Sequence, residues 1–309
     1  MPSPTYTLYS HNSTDNNTLR YAPQVLKTII TQPMKHFLAV FLTMAVTVLT
    51  ANARDIESFT INGPEGAIYT ELQKPTTDNK TQIPLVIICH GFGGNCNAEL
   101  LTDISDILLD NGIASIRFDF DGHGKSEGEF VNMTVPKEIN DLKSVIDWAQ
   151  SQPWVKNISL TGHSQGGVVA SMTAGQLGLH VIKSVVLLAP AAVLRDDALR
   201  GNTMGAIYDP WEEAEGYVQL PFGNMKLGRE YIRTALTLPI YETALQYTGP
   251  VLIMHGTHDR IVPYTYGERY HNGYKHSSLK LIDGDDHGFS KTCKETARDA
   301  ALWLANELR

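Results

Sequence analysis

The chain has 309 residues, a mass of 34.1 kDa and a formal net charge of −8, with 42% hydrophobic and 19% charged residues. That much apolar side chain supports a packed core and excludes a disordered chain. The acidic balance excludes a basic stripe for nucleic acid. Three cysteines are too few for a disulfide framework or a Cys-rich zinc site. No apolar run reaches the ~18 residues of a spanning helix, so no stable membrane span is expected.

Residues 1–33 are rich in Ser, Thr, Asn and Pro without sustained periodicity and read as a leader outside the fold. Met34-Lys35-His36 then precedes an apolar run, 37–49, whose length falls in the ~7–15 residue range of a signal-peptide core. The run ends at Ala51-Asn52-Ala53, an A-x-A cleavage site. Residues 34–53 are therefore expected to be a secretory signal starting at Met34, and the mature chain, 54–309, to be periplasmic or secreted. Cys89 lies in an apolar run and reads as a core thiol. Pairing of Cys96 with Cys293 is the less favoured reading.

Residues 56–61 and 67–72 alternate apolar and polar side chains around Gly63-Pro64, which predicts a hairpin. Residues 85–89, Leu-Val-Ile-Ile-Cys, form a continuous apolar run, as in a strand buried on both faces. Helical spacing over 97–110 ends at Asn111-Gly112. A strand is predicted at 114–118, a helix at 135–150, a strand at 158–160 and a helix at 165–177. Strands at 185–188, 251–254 and 279–282 and a last helix at 291–308 complete the series. Strands alternating with helices imply an α/β fold with a mainly parallel sheet covered on both faces. Between the strands at 185–188 and 251–254 lies a long aromatic segment that carries Tyr208, Trp211, Tyr217, Phe222, Tyr231 and Tyr241. Long connections in such folds are often lids or binding loops. The stretch at about 193–240 therefore reads as a cap inserted between the sixth and seventh strands.

Gly162-His163-Ser164-Gln165-Gly166 lies between a buried strand and a helix. This is G-x-S-x-G in the context that makes it a nucleophile elbow, with Ser164 on a strained turn. Serine is a weak nucleophile and needs a base. In this arrangement an acid and then a histidine follow the serine in the chain. His287, after the last predicted strand, is the expected base. Asp259, after the strand at 251–254, is the expected acid, with Asp196, Asp197, Asp285 and Asp286 as its rivals. The N–H groups of Gln165, at the helix start, and Phe92, in His90-Gly91-Phe92-Gly93-Gly94, are the expected oxyanion donors. His255, His258 and Asp259 form no metal set, because no second group of ligands has matching spacing. No metal and no organic cofactor is required.

On these residues the chain resembles the α/β-hydrolase superfamily over roughly 56–308. Within it, residues 130–134 (FVNMT), 162–171 (GHSQGGVVAS), 187–192 (LLAPAA), 201–203 (GNT) and 238–241 (LPIY) resemble the bacterial cinnamoyl (feruloyl) esterases. The resemblance implies a small insert over the serine and hydrolysis of esters that join hydroxycinnamic acids to sugars or quinate. It also implies that an acid and a tyrosine of the insert hold the phenolic hydroxyl; by position these are Asp197 and Tyr231. Met204 stands where that family pattern leads one to expect glutamine. The expected partner is a small-molecule or oligosaccharide hydroxycinnamate ester. The sequence leaves a homodimer open. The alternatives are a general carboxylesterase, lipase or acyl-peptidase of the same fold, or a non-catalytic binding protein.

Overall fold

The computed structural model describes residues 55–77, 81–212 and 216–309. The leader and signal segment expected at 1–33 and 34–53 lie outside the described residues. Among the described residues no helix is long and apolar enough to cross a membrane.

The first two strands, β1 (Ile56–Asn62) and β2 (Ala67–Gln73), form the expected hairpin. They join β3 (Ile83–Cys89), β4 (Ala114–Phe118), β5 (Val155–His163), β6 (Ile182–Leu188) and two later strands, Val251–Gly256 and Ser277–Ile282. The spatial order in this eight-stranded sheet is β1, β2, β4, β3, β5, β6, then the two later strands. Only β2 runs against its neighbours, since it is antiparallel to both β1 and β4 while the other pairings are parallel.

The continuous apolar runs have a direct physical reason. Successive side chains of a strand point to opposite faces, and here both faces are packed. Leu85, Ile87 and Cys89 of β3 enter one core cluster, and Val86 and Ile88 enter the other. The same division holds at Val185 and Leu187 against Val186 and Leu188, and at Val251 and Ile253 against Leu252 and Met254. On one face lie α1 (Glu99–Asp110) and the last helix (Cys293–Glu307), with Leu101, Ile104, Leu108, Ala297, Ala300 and Leu304 buried between them and the sheet. On the other lie α2 (Val135–Ser151) and α3 (Gln165–Leu177). Helix α2 starts where Thr134 Oγ1 accepts the Lys137 N–H at 3.3 Å, with Pro136 in its first turn. Helix α3 is buried on nearly every side, which its small residues, Gly166-Gly167 and Ala170-Ser171, permit.

The connection after β6 contains α4 (Val193–Arg200), two small hairpins and α5 (Arg229–Leu236) and α6 (Ile240–Ala244). The hairpins are β7 (Asn202–Thr203) with β8 (Ala206–Ile207), and β9 (Tyr217–Gln219) with β10 (Lys226–Gly228). The chain then returns to the sheet as β11 (Val251–Gly256), followed by α7 (Thr265–Gly273), β12 (Ser277–Ile282) and α8 (Cys293–Glu307). The insert therefore lies between the sixth and seventh strands of the main sheet. Two differences from the sequence reading have clear causes. Strand β5 begins at Val155, three residues before the predicted start, because its first residues are incompletely buried and carry a weak apolar signal. Helix α7, which was not predicted, buries only Gly267 and Tyr270 and so lacks an aliphatic stripe.

Candidate active site

Ser164 sits between β5 and α3 with φ 56° and ψ −123°. Such a conformation costs a non-glycine residue about 1–3 kcal/mol and persists only when its surroundings hold it. They do so here. Ser164 N–H donates to Leu188 C=O at 2.9 Å, and its own carbonyl accepts from Gly167 and Ala191. The flanking glycines are required by space: a Cβ on Gly162 would lie 2.2 Å from Gly166 O, and one on Gly166 would lie 2.3 Å from His90 O. The turn thus lifts Ser164 Oγ off the sheet at the carboxyl end of β5.

The loop after β12 brings His287 to this point. Ser164 Oγ–H donates to His287 Nε2 at 2.9 Å, and His287 Nδ1–H donates to Asp259 Oδ2 at 2.7 Å. Asp259, in the loop after β11, is itself anchored. Its Oδ1 accepts the N–H groups of Ile261 and Val262 at 2.9 and 2.8 Å. Burial pushes the Asp259 carboxyl up, but hydrogen bonds from His255 and His287 outweigh it and hold the group well below the usual carboxylate range. The three side chains singled out in the sequence therefore meet in one hydrogen-bonded line. The rival acids are engaged elsewhere. Asp196 accepts from Tyr266 Oη, Asp197 pairs with Arg200 at 2.6 Å, Asp285 accepts from Thr292 Oγ1, and Asp286 from Ser290.

Phe92 and Gln165, the expected oxyanion donors, line one narrow cavity with Ser164. Its volume is about 30 Å³, and its other walls include Val193, Leu194, Asp197, Thr203, Met204 and Tyr231 from the insert and Ile261 and Val262 from the acid loop. A wider cavity of about 680 Å³ adjoins it through Asp197, Met204 and Ile261 and adds Arg200, Asn202 and Arg260. Asp197 thus stands where the two meet, and burial raises its pKa despite the opposing effect of Arg200. Tyr231 is buried, and its Oη–H donates to Gln165 Oε1 at 2.8 Å.

Four histidines support this site in ways the sequence did not reveal. His163 Nε2–H donates to the His287 carbonyl at 2.8 Å and so fixes the backbone under the imidazole. Burial, then the nearby His287 charge, lower the His163 pKa to about 4. His255 Nε2–H is shared between Val262 C=O at 2.8 Å and Asp259 Oδ2 at 3.1 Å. His90 accepts the Phe120 N–H, and His123 accepts the Gly93 N–H. These last two tie the loop that carries Phe92 to the loop after β4. His258, grouped with His255 and Asp259 in the sequence, donates its backbone N–H to Asp285 C=O at 2.9 Å. Among the described residues the one cluster with metal-ligand spacing is Glu99, Asp103 and Cys293; Glu99 and Cys293 line a cavity of about 630 Å³ that His163 and Gly288 also border. All three cysteines are free.

Residues 81–212 match the family described as serine aminopeptidase, S33. Among solved structures, the chain is similar to Est1E from Butyrivibrio proteoclasticus with ferulic acid bound: 29% identity, TM-score 0.76, over 81% of this chain and 98% of that one. Among curated proteins, it is 41% identical over 114 residues to an uncharacterized 31.7 kDa protein of the traX-finO intergenic region of Escherichia coli, covering 36% of this chain and 40% of that relative. It is 26% identical over 194 residues to the mitochondrial palmitoyl-protein thioesterase ABHD10 of Mus musculus, covering 60% of this chain and 62% of that one. The chain thus spans less than two thirds of the length of these curated relatives. With its mainly parallel eight-stranded sheet flanked by helices the chain has the α/β-hydrolase fold, and these likenesses support its place in that superfamily.

Proposed function

We propose that the protein is a serine esterase that hydrolyses hydroxycinnamate esters (ferulate, p-coumarate or caffeate joined to plant-derived sugars or quinate) outside the cytoplasm. The observation that carries ester hydrolysis is the unbroken line from Ser164 Oγ through His287 to Asp259. The likeness to Est1E with ferulic acid, together with the apolar and aromatic wall beside Ser164, supports the choice of acyl group. In this reading Ser164 attacks the ester carbonyl while His287 Nε2 takes its proton. Asp259 holds the proton of His287 on Nδ1 and stabilises the imidazolium. The N–H groups of Phe92 and Gln165 meet the developing oxyanion, and one such donor contributes about 3–4 kcal/mol in related chemistry. His287 then protonates the departing alcohol, and water attacks the acyl-enzyme by the same route. Asp197 and Tyr231 receive the phenolic hydroxyl.

The slot at Ser164, about 30 Å³, has room for about one water. An aromatic acyl group therefore enters by displacing side chains of the wall, and Met204, unbranched and flexible, stands between the slot and the larger cavity. The test is release of ferulate from methyl ferulate by the purified chain, beside Ser164→Ala and a panel of p-nitrophenyl esters. Preference for acetyl or long acyl chains over hydroxycinnamoyl would overturn the substrate assignment. No ester turnover with Ser164 intact would overturn the esterase.

A further inference from the structure

Beneath the cavity runs a buried chain of hydrogen bonds that begins at Glu138, a residue that the proposed chemistry does not use. Glu138, on α2, is 2% exposed, and among the described residues no cation is bonded to it. Its Oε2 accepts the Gln165 Nε2–H at 2.8 Å. Gln165 Oε1 in turn accepts the Tyr231 Oη–H at 2.8 Å. The orientation of the Gln165 amide is fixed from one side. Its Nε2 also faces Met133 Sδ at 3.5 Å, and a thioether can only accept. Ionised, Glu138 can only accept; protonated, it keeps an accepting oxygen beside its O–H, and the Met133 thioether still holds Nε2 on that side.

The consequence falls on Tyr231. A phenol has one proton, and Tyr231 commits it to Gln165. Toward the cavity it can offer lone pairs only. Asp197, the other polar group placed against an acyl tail, is also an acceptor when ionised. Thr203 Oγ1, on the same wall, is bonded to Tyr208 Oη.

We infer that Glu138 is a positioning residue that, by ordering the protons along Glu138–Gln165–Tyr231, makes the acyl cavity select an acyl group that carries a hydrogen-bond donor at its far end. The inference rests on the hydroxycinnamate reading and deepens it: the cavity selects by the direction of the hydrogen bond as well as by shape. A free hydroxyl or an amino group fits. A methoxy group brings lone pairs to lone pairs.

The experiment compares kcat/KM for the methyl esters of 4-hydroxy-, 4-amino- and 4-methoxycinnamate on the wild type, Glu138→Met and Glu138→Gln. In the wild type both donor-bearing esters should exceed the methoxy ester by about tenfold or more, the worth of an unmade buried hydrogen bond. Glu138→Met removes the acceptor that holds the Gln165 amide and frees Tyr231 to donate. The donor-to-methoxy ratio should then fall at least fivefold, through KM more than kcat. Glu138→Gln keeps an accepting oxygen and should restore the wild-type ratio. Equal losses on all three esters in Glu138→Met would show a merely structural role and overturn the inference, as would identical ratios in the two variants. If Glu138→Met does not fold, the wild-type series still decides, because a methoxy ester handled as well as the amino ester refutes an acceptor-only cavity. Turnover of cinnamates without donor preference overturns this inference alone. Absence of cinnamate turnover beside activity on other esters overturns the substrate reading as well.

Discussion

Replacing Asp259 by asparagine tests the site at the point where geometry makes the sharpest demand. Asp259 Oδ1 is held by two backbone donors, the N–H groups of Ile261 and Val262, at 2.9 and 2.8 Å. An asparagine must keep its oxygen there, because its NH₂ would otherwise face two N–H groups. The NH₂ then falls on the Oδ2 position, 2.7 Å from His287 Nδ1. A donor at that point requires an unprotonated Nδ1, so the ring proton moves to Nε2 and faces Ser164. Ser164 Oγ, 2.9 Å away, then meets an N–H in place of a lone pair and loses its base. Such a tautomer reversal costs about 10⁴-fold in kcat, or about 5 kcal/mol of transition-state stabilisation. The assay is kcat on methyl ferulate and a p-nitrophenyl ester at neutral pH, with circular dichroism to show that the variant is folded. Asp197→Asn serves as the comparison and should alter only hydroxycinnamate kinetics. If Asp259→Asn kept more than about a tenth of wild-type kcat, or if Asp197→Asn abolished turnover of every ester, the assignment of the acid would be refuted.

Three further outcomes follow from distances and charges elsewhere. Gly91→Ala would place a Cβ 2.9 Å from Ser164 Cβ; the Phe92 loop must shift, and kcat should fall about 10-fold or more with little change in melting temperature. Burial raises the Asp141 pKa to about 7, so the folded chain keeps a proton that the unfolded chain releases near its ordinary value of 3.8. Stability therefore falls as pH rises from about 4 to about 7, by about 3–4 kcal/mol for this group, and urea titrations of Asp141→Asn should lack that share of the slope and show the greatest gain over wild type at pH 8. Thr134→Ala removes the cap of α2 and should cost about 1 kcal/mol of unfolding free energy by the same titration, leaving kcat on small esters unaltered.

Much of the fold is legible because it depends on local patterns. The run Leu85-Val86-Ile87-Ile88-Cys89 has no polar alternation, and the reason is visible in the two core clusters that take its odd and even positions. Ser164 was legible because the turn needs Gly162 and Gly166 for space, a requirement written into the sequence. His287 and Asp259 followed from chain order and the strands before them. What lay hidden depends on long-range contacts. No sequence pattern says that His163, beside the serine, reaches the backbone of residue 287, or that His255 shares its proton with Asp259. Helix α7 was hidden because its nine residues, TYGERYHNG, bury only a glycine and a tyrosine. Asp197 and Tyr231 were named through a resemblance. The structure places both on the wall beside Ser164, and it adds partners that no spacing reveals, Arg200 for one and Gln165 for the other.

The histidines show how the surroundings divide labour among identical side chains. Burial depresses the pKa of His90 to about 3 and of His163 to about 4, and it lowers that of His123 as well. These rings stay neutral near neutral pH, which leaves each with one N–H and one lone pair. A neutral imidazole is therefore a directional bridge: His90 donates to Gly91 C=O and accepts from Phe120 N–H, and His123 donates to Asp121 C=O and accepts from Gly93 N–H. Protonation would turn each accepting nitrogen into a donor facing an N–H and would loosen the Phe92 loop. His287 differs in its partners. It alone among them has a carboxylate on one nitrogen and a serine hydroxyl on the other, and its side chain keeps 13% of its surface in solvent. A proton at Nε2 leaves the Asp259 bond in place, and the serine hydroxyl can turn to accept where a backbone N–H cannot. The same residue type thus builds the rigid frame where burial keeps it neutral and, in the proposed reaction, serves as the base where it lies between Asp259 and Ser164, which is why counting histidines in the sequence could not by itself tell one role from the other.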